Sequence, residues 1–397
     1  MQILTRVHSG ATAQRLLPHP RLALVAAWDA DRPAIRIWEY RDGQLRQRAA
    51  LGVDSAGYVE DVGYERLKRT PSAAWHPRDP LLAVADAESV VLWTPSGTSP
   101  VDGVPSTEYR RKVAFSPDGR TLWLSPAAGT DGWEHSVALD LASGTTLTGP
   151  RWDTGVVAHP AGGLVCTLVS DQGATLVLFS ADTGPVLRPV RRALVLDCDG
   201  YQAPIFSSDG RHLAVRGNAY NNSLEVFAFP SLRRVLGMTL GEPSPGYPYP
   251  QEWLDEMRAW SRHNVAFGPS PRVLWIGTPE GVVVELDVDG SRVVEHEVLP
   301  RAAVTALAAT ATGELVVAGN DELLVLSVGT ADPGEAAGAS ATAFLASTRE
   351  ASVVDMDQLD LTDGTRVWQS GDRATVSETS ATDPSWLRIR AAVTRRT

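Results

Sequence analysis

Cysteine and lysine are almost missing from this chain. Cysteine stands only at Cys166, in an expected buried strand, and at Cys198, in an Asp-Cys-Asp-Gly turn. Two such positions give neither the spacing of a structural metal site nor a disulfide framework. Lysine stands only at Lys68 and Lys112, beside 34 arginines. GC-rich coding of the bacterial kind accounts for that bias, which carries no functional message. Long apolar runs are missing too. Nothing approaches the roughly 18 consecutive apolar residues of a membrane span, and Met1 to Gly10 holds no apolar stretch of signal-peptide length. A cytoplasmic protein without a membrane partner is the expectation. Surplus positive charge is also absent, since the formal net charge is −11. A phosphate backbone needs a basic face that releases counterions, so no nucleic-acid partner is expected. The composition leaves the oligomeric state open.

Catalytic signatures are equally scarce. There is no Gly-x-Ser-x-Gly elbow, and neither lysine follows a glycine, which excludes a Walker-type phosphate loop. His296-Glu297 runs into Val298, Leu299 and Pro300 and so lacks the second histidine of a zinc-protease helix. Asp355, Asp357, Asp360 and Asp363 fail as a calcium loop, because Leu359 occupies a ligand position and the glycine is misplaced. His19, His76 and His159 each precede a proline at the same point of three different repeats, where they form turns and not a shared metal site. No catalytic residue, cofactor or metal is assigned.

What the chain does have is a repeat. Seven times between residues 14 and 328 an apolar strand is followed by a turn and then by two more apolar strands. The turns read Pro18-His19-Pro20, Trp75-His76-Pro77, Ser116-Pro117-Asp118-Gly119, Ala158-His159-Pro160, Ser207-Ser208-Asp209-Gly210, Gly268-Pro269 and Ala309-Thr310. A period of about 40 residues with several short strands in each marks propeller blades, small sheets that bury both faces by stacking on their neighbours. The second strands, such as Leu22 to Trp28 and Leu164 to Ser170, are apolar throughout, as befits strands covered on both faces. Turns such as Arg41-Asp42-Gly43 and Asp289-Gly290 then lead into a fourth, more polar edge strand.

Over residues 14 to 330 the chain resembles the WD40 and YVTN-like propeller superfamily. The Phe115-Ser116-Pro117-Asp118-Gly119 turn carries the likeness, together with Trp38 and Trp93 near the ends of third strands. The family's Trp-Asp pair is replaced by Trp38-Glu39, Trp93-Thr94 and Leu139-Asp140, and its Gly-His dipeptide before the first strand is missing. These are degenerate repeats, whose family hydrogen-bond network is absent or replaced. The resemblance implies an all-β fold, a seven-bladed β-propeller of four-stranded antiparallel blades, with eight blades as the alternative. It also implies that the N-terminal segment supplies the outer strand of the last blade.

The expected organisation is a propeller over residues 1–330, with blades at about 14–51, 73–101, 112–150, 155–196, 203–240, 264–300 and 304–328 and strand 2–7 closing the ring. Residues 331–397 are expected to form a Gly/Ala-rich linker and an extension. Strands are expected there at 343–347, 358–361, 365–369 and 387–393, completing the last blade or starting an eighth.

Long connections join a fourth strand to the next blade, at 52–70 and 241–263, or a second strand to a third, at 126–134, 218–222 and 29–34. In a ring those two classes share one rim, and long loops in compact domains are usually functional. They carry Tyr58, Tyr64, Trp133, Tyr220, Tyr247, Tyr249, Trp253 and Trp260, aromatic anchors of the kind interfaces use. Those eight are the candidate partner-binding residues, although each could instead pack on its own ring. The reading is a noncatalytic scaffold that binds a protein or peptide through this rim. The alternative is a small-molecule enzyme or sensor of the lactonase-like or quinoprotein-like propeller type, acting at the central channel mouth. Arg111, Gln202 and Asn264 are the candidates there, beside Gln14, Ser72 and Thr154, with Asp153, Asp199 or His263 as a loop-borne acid or base.

Overall fold

The structure, a computed structural model, describes residues 1–52, 58, 66, 69–86, 89–104, 112–125, 135–153, 155–171, 173–197, 201–217, 222–242, 245–246, 248–253, 262–290, 292–329, 338–352, 355–371 and 376–395. Among the described residues the strands fall into seven sheets, six of four strands and one of seven. The first sheet sets the pattern. Ala13–Pro18, Leu24–Asp29, Ala34–Arg41 and Gln44–Gly52 pair in chain order, each antiparallel to the next. Sheets two to six begin in the same way from the inner strands Ser72–Trp75, Val113–Phe115, Val157–Ala158, Ile205–Phe206 and Val265–Phe267, and the seventh begins from Ala306–Ala309.

Antiparallel neighbours can be joined by tight turns, and here the first turn of six sheets has one size. His19, His76, Ser116, His159, Ser207 and Gly268 donate their backbone N–H to the carbonyls of Leu24, Leu81, Thr121, Leu164, His212 and Val273, each five residues on, at 2.8 to 3.1 Å. The second strands Leu24–Asp29 and Thr121–Leu124 are buried at every residue, which is why their sequences do not alternate.

Apolar clusters fill the gaps between consecutive sheets. Trp28, Ile37, Trp75 and Leu82 join the first to the second, and similar clusters link each later sheet to the next. The last one packs Leu323 and Val325 of the seventh sheet against Leu16 and Val25 of the first, so the series of junctions returns to its start. Each fully buried large aliphatic contributes on the order of 1.5–3 kcal/mol. No sheet could cover its own two faces, and the sheets are therefore stable only together. Indole N–H groups find acceptors across the junctions: Trp28 Nε1 donates to the Pro71 carbonyl at 2.7 Å, Trp75 Nε1 to Leu17 at 2.9 Å and Trp123 Nε1 to Pro185 at 2.7 Å.

The seventh sheet draws on both ends of the repeat. Gln2–His8 pairs antiparallel with Glu322–Ser327, with Gln2 opposite Ser327 and His8 opposite Glu322. Arg6 fastens this strand, donating to the Val298 carbonyl at 3.1 Å and pairing with Glu322 at 3.4 Å.

Beyond Gly329 the chain returns to the fourth sheet, not to the last one, and among the described residues there is no eighth sheet. Asp360–Thr362 adds in parallel to Arg192–Leu196, with Leu361 opposite Ala193, and Val367–Trp368 folds back antiparallel on it. Two of the strands expected in this extension are helices. Residues 343–347 fall in and just after α1, Gly338–Ala346, where four alanines outweigh the apolar run because alanine has the highest helix propensity. Residues 387–393 lie in α2, Ser385–Thr394, whose buried Trp386, Leu387 and Ala391 sit at helical spacing. Phe344 of α1 is fully buried, 4.7 Å from the ring of Phe179 and 5.0 Å from Phe229. Trp386 of α2 meets Trp368 edge-on at 5.2 Å. The extension thus seals the outside of the junctions on either side of sheet four.

Cys166 is free and buried inside sheet four, where burial pushes its thiol pKa up and suppresses the reactive thiolate. Cys198 lies outside the described residues. No helix among the described residues is long and apolar enough to cross a membrane.

Candidate binding face and axial mouth

Every inner strand starts at one face of the sheets and ends at the other, so the molecule has a turn face and a loop face. Repeated histidines hold the turn face together. His19 Nδ1 accepts the backbone N–H of Arg21 and Leu22 at 3.0 and 3.1 Å, which leaves the proton on Nε2 for the Asp79 carbonyl of the next sheet at 2.9 Å. His159 repeats this, accepting from Ala161 at 3.2 Å and reaching Gly210 of sheet five at 3.2 Å. His76 accepts from Arg78 and Asp79 at 3.3 and 2.9 Å and bonds to the backbone of Gly119 in sheet three. Burial lowers the pKa of all three imidazoles, and for His76 it outweighs the nearby Asp79 carboxylate. These histidines are neutral latches from one turn to the next.

The four aspartates of the extension are likewise occupied one by one. Asp355 accepts from the Asp357 N–H at 2.9 Å, Asp357 pairs with Arg390, Asp360 accepts from Ser370 at 3.0 Å, and Asp363 accepts from Thr365 at 2.8 Å. Among the described residues no three His, Cys, Asp or Glu side chains form a group that could hold a metal ion.

The loop face is where the long connections run. Tyr58, expected as an exposed anchor, is 1% exposed. Its hydroxyl meets Thr70 Oγ1 at 2.7 Å and the Arg66 guanidinium covers its ring at 4.7 Å, so both its ring and its hydroxyl are used by residues of its own connection. Trp253 is buried as well, stacked on the half-buried Tyr249 at 5.1 Å. In the free protein both aromatics serve internal packing. Tyr64, Trp133, Tyr220, Tyr247 and Trp260 lie outside the described residues, as do Arg111, Thr154 and Asp199.

At the centre of this face the inner strands converge. Ser72 Oγ accepts the Val113 N–H at 3.0 Å and Thr305 Oγ1 donates to the Ala13 carbonyl at 2.6 Å, stapling neighbouring inner strands. Gln14 donates to the Asp29 carbonyl at 3.2 Å, and Asp153 accepts from Arg151 at 3.2 Å and from the Ser170 N–H at 2.9 Å. Asn264 is fully buried with both amide atoms in use: Nδ2 donates to Gly277 at 2.7 Å and Oδ1 accepts from Arg216 Nε at 3.2 Å. It is a clamp for Arg216 and not an open ligand donor. Arg216 also donates to the carbonyls of Ser223, at 3.3 Å, and Gly217 and to Asn222 Oδ1, and burial pulls its pKa down to about 10. Gln202 sits beside it, its N–H on the Arg216 carbonyl at 2.7 Å.

His263 is half-buried just before the inner strand of sheet six. Burial, followed by the charges of Arg15, Lys112, Arg262 and Arg216, holds its pKa well below the usual imidazole value. Arg15 lies over the ring of Trp28 at 4.7 Å, and burial takes its pKa down to about 10. Sequence reasoning missed Arg15, Lys112, Arg216 and Arg262. Of the mouth candidates read from the sequence, His263 is the one those cations act on, Asn264 is taken up by Arg216 and Gly277, and Arg111 lies outside the described residues.

No protein-family model matches the chain, and no curated protein is similar to it in sequence. Solved structures share its fold. Hydrazine synthase of Kuenenia stuttgartiensis superposes with a TM-score of 0.56 at 13% identity, over 81% of this chain and 96% of that one. The β-propeller domain of Cps50 (Swd1) from Myceliophteria thermophila superposes with a TM-score of 0.54 at 12% identity, over 83% of this chain and 99% of the domain. The fold is a β-propeller, and at such identities the likeness extends to nothing else.

Proposed function

We propose that this chain is a noncatalytic interaction module, a seven-bladed ring that offers its loop face to a protein or peptide partner in the cytoplasm. The observation that supports this reading is the contrast between the faces. On the turn face His19, His76 and His159 are spent on the turns of the next sheet, and the connections there are tight turns. The long connections at 52–70 and 241–263 both join sheets on the loop face, and long loops set on a packed scaffold are the usual arrangement of a binding surface. The acidic net charge favours a protein partner over nucleic acid. Tyr247, Trp260, Tyr64, Trp133 and Tyr220 are the proposed anchors, while Tyr58, Trp253 and Tyr249 serve packing in the free protein.

Affinity capture from the native host tests the reading with two variants of the full chain. Tyr247→Ala combined with Trp260→Ala is expected to lose a partner that Arg78→Glu, on the turn face, retains. Equal capture by both variants would remove the loop face from consideration. A small-molecule sensor at the channel mouth is the second reading, favoured by the gathering of cations around His263.

A further inference from the structure

The axial mouth of the loop face is cationic in a chain whose net charge is −11. Arg15 lies on the inner strand of sheet one, and Lys112 immediately precedes that of sheet three. Arg216 ends the second strand of sheet five, and Arg262 and His263 precede the inner strand of sheet six. Arg216 bonds to Asn264 beside His263 at 3.2 Å, and His263 pairs with Ala306, whose neighbour Thr305 bonds to Ala13 on the strand of Arg15 at 2.6 Å; the charges of Arg15, Lys112 and Arg216 all act on this imidazole. Sheets that are not neighbours can reach a common point only where their inner strands converge, at the axis.

Arg15 is the most informative member. Trp28 beneath it is 1% exposed and anchored by its indole N–H to Pro71 at 2.7 Å, so the guanidinium rests on a fixed aromatic floor. Among the described residues that guanidinium has no hydrogen bond and no ion pair, which leaves its five N–H donors for the mouth. A half-buried arginine with no carboxylate partner among the described residues is costly unless something else satisfies it. The exposed Arg262 and the half-buried Lys112 act on the same His263 that Arg15 does. His263 is neutral at ordinary pH, so it can add a hydrogen bond without adding charge.

We propose that this mouth binds a small multivalent oxyanion of the phosphate class, with Arg15 as the forked donor and Lys112 and Arg262 as flanking charges. A guanidinium suits such a ligand because two parallel N–H groups match two oxygens. The proposal deepens the sensor reading and does not depend on a protein docking at the rim.

The test is calorimetric titration of the full chain with inorganic pyrophosphate. Saturable binding that weakens with added salt is expected, and Arg15→Gln should reduce the affinity about tenfold or more, the weight of one charge-assisted hydrogen bond. Arg41→Gln, exposed on the turn face, should bind as the parent does. Should Arg15→Gln fail to fold, Lys112→Gln carries the same test with a smaller expected loss. In the proton NMR spectrum His263 should titrate at higher pH once the anion is bound. No saturable binding by the parent chain, equal affinity in the parent and the folded Arg15 or Lys112 variant, or an unmoved His263 titration would overturn the proposal. A second arm titrates an oligo-aspartate peptide: binding of pyrophosphate alone supports a free small anion, whereas peptide binding lost in the same variants overturns the phosphate-class assignment in favour of an acidic polypeptide.

Discussion

The two faces of the ring are made from the same seven sheets and put them to opposite uses. On the turn face His19, His76 and His159 each spend both ring nitrogens on backbone, one within their own turn and one on the turn of the next sheet. A change in one turn is therefore felt by its neighbour. On the loop face Tyr58 is held by Thr70 and Arg66, two residues of its own connection, so a change there need not pass to a neighbouring sheet. Coupled turns suit rigidity, and self-contained loops suit recognition.

If that division holds, substitutions on the turn face should cost stability and those on the loop face should cost binding. The largest effect is expected for His159→Ala, which removes a buried ring packed 5.0 Å from Phe206 and 5.3 Å from Phe229 along with its latch. Urea denaturation should show a loss of about 3 kcal/mol. Gly119→Ala comes next. Gly119 has φ of 80°, and a Cβ there would lie 1.9 Å from His76 Nε2, so backbone strain and a displaced latch together should cost about 2 kcal/mol.

The histidines also give the turn face a pH signature. His19, His76, His159 and His212 all have pKa values lowered by burial, so the unfolded chain takes up protons that the folded chain refuses. Stability should be fully present above the ordinary imidazole pKa of about 6.5 and should fall as pH drops below it. Melting temperatures between pH 8 and pH 5 would show this, and His159→Ala should flatten part of the slope.

Loop-face changes should be milder. Tyr58→Phe removes one hydrogen bond under a loop and should cost about 1 kcal/mol. The smallest effect on stability is expected for Tyr247→Ala, within about 0.5 kcal/mol, while it weakens partner capture. A large loss of stability in that variant would blur the division between the faces.

The propeller sheets were legible in the sequence because their strands are short, apolar and evenly punctuated, and most pair with the next one along the chain. The extension was not, for two physical reasons. The alternation of Leu387 to Val393 fits a helix face as well as a strand, and local sequence does not reveal that the edge strand Arg192–Leu196 stands open to a partner some 165 residues later. The mouth was half legible. His263 could be read as a candidate because it precedes an inner strand, but Arg15 lies within one, past the bulge between Ala13 and Arg15, which local sequence does not reveal. An aromatic in a long loop reads the same whether it faces a partner or, like Tyr58, its own ring.

The central claim is that recognition belongs to the loop face. Hydrogen–deuterium exchange of the full chain, alone and with its captured partner, tests it most directly. Protection is expected to rise in segments 52–72 and 241–263 and to stay unchanged in the turns around His19, His76 and His159. Protection gathered at those turns, with the loop segments unaffected, would contradict the account.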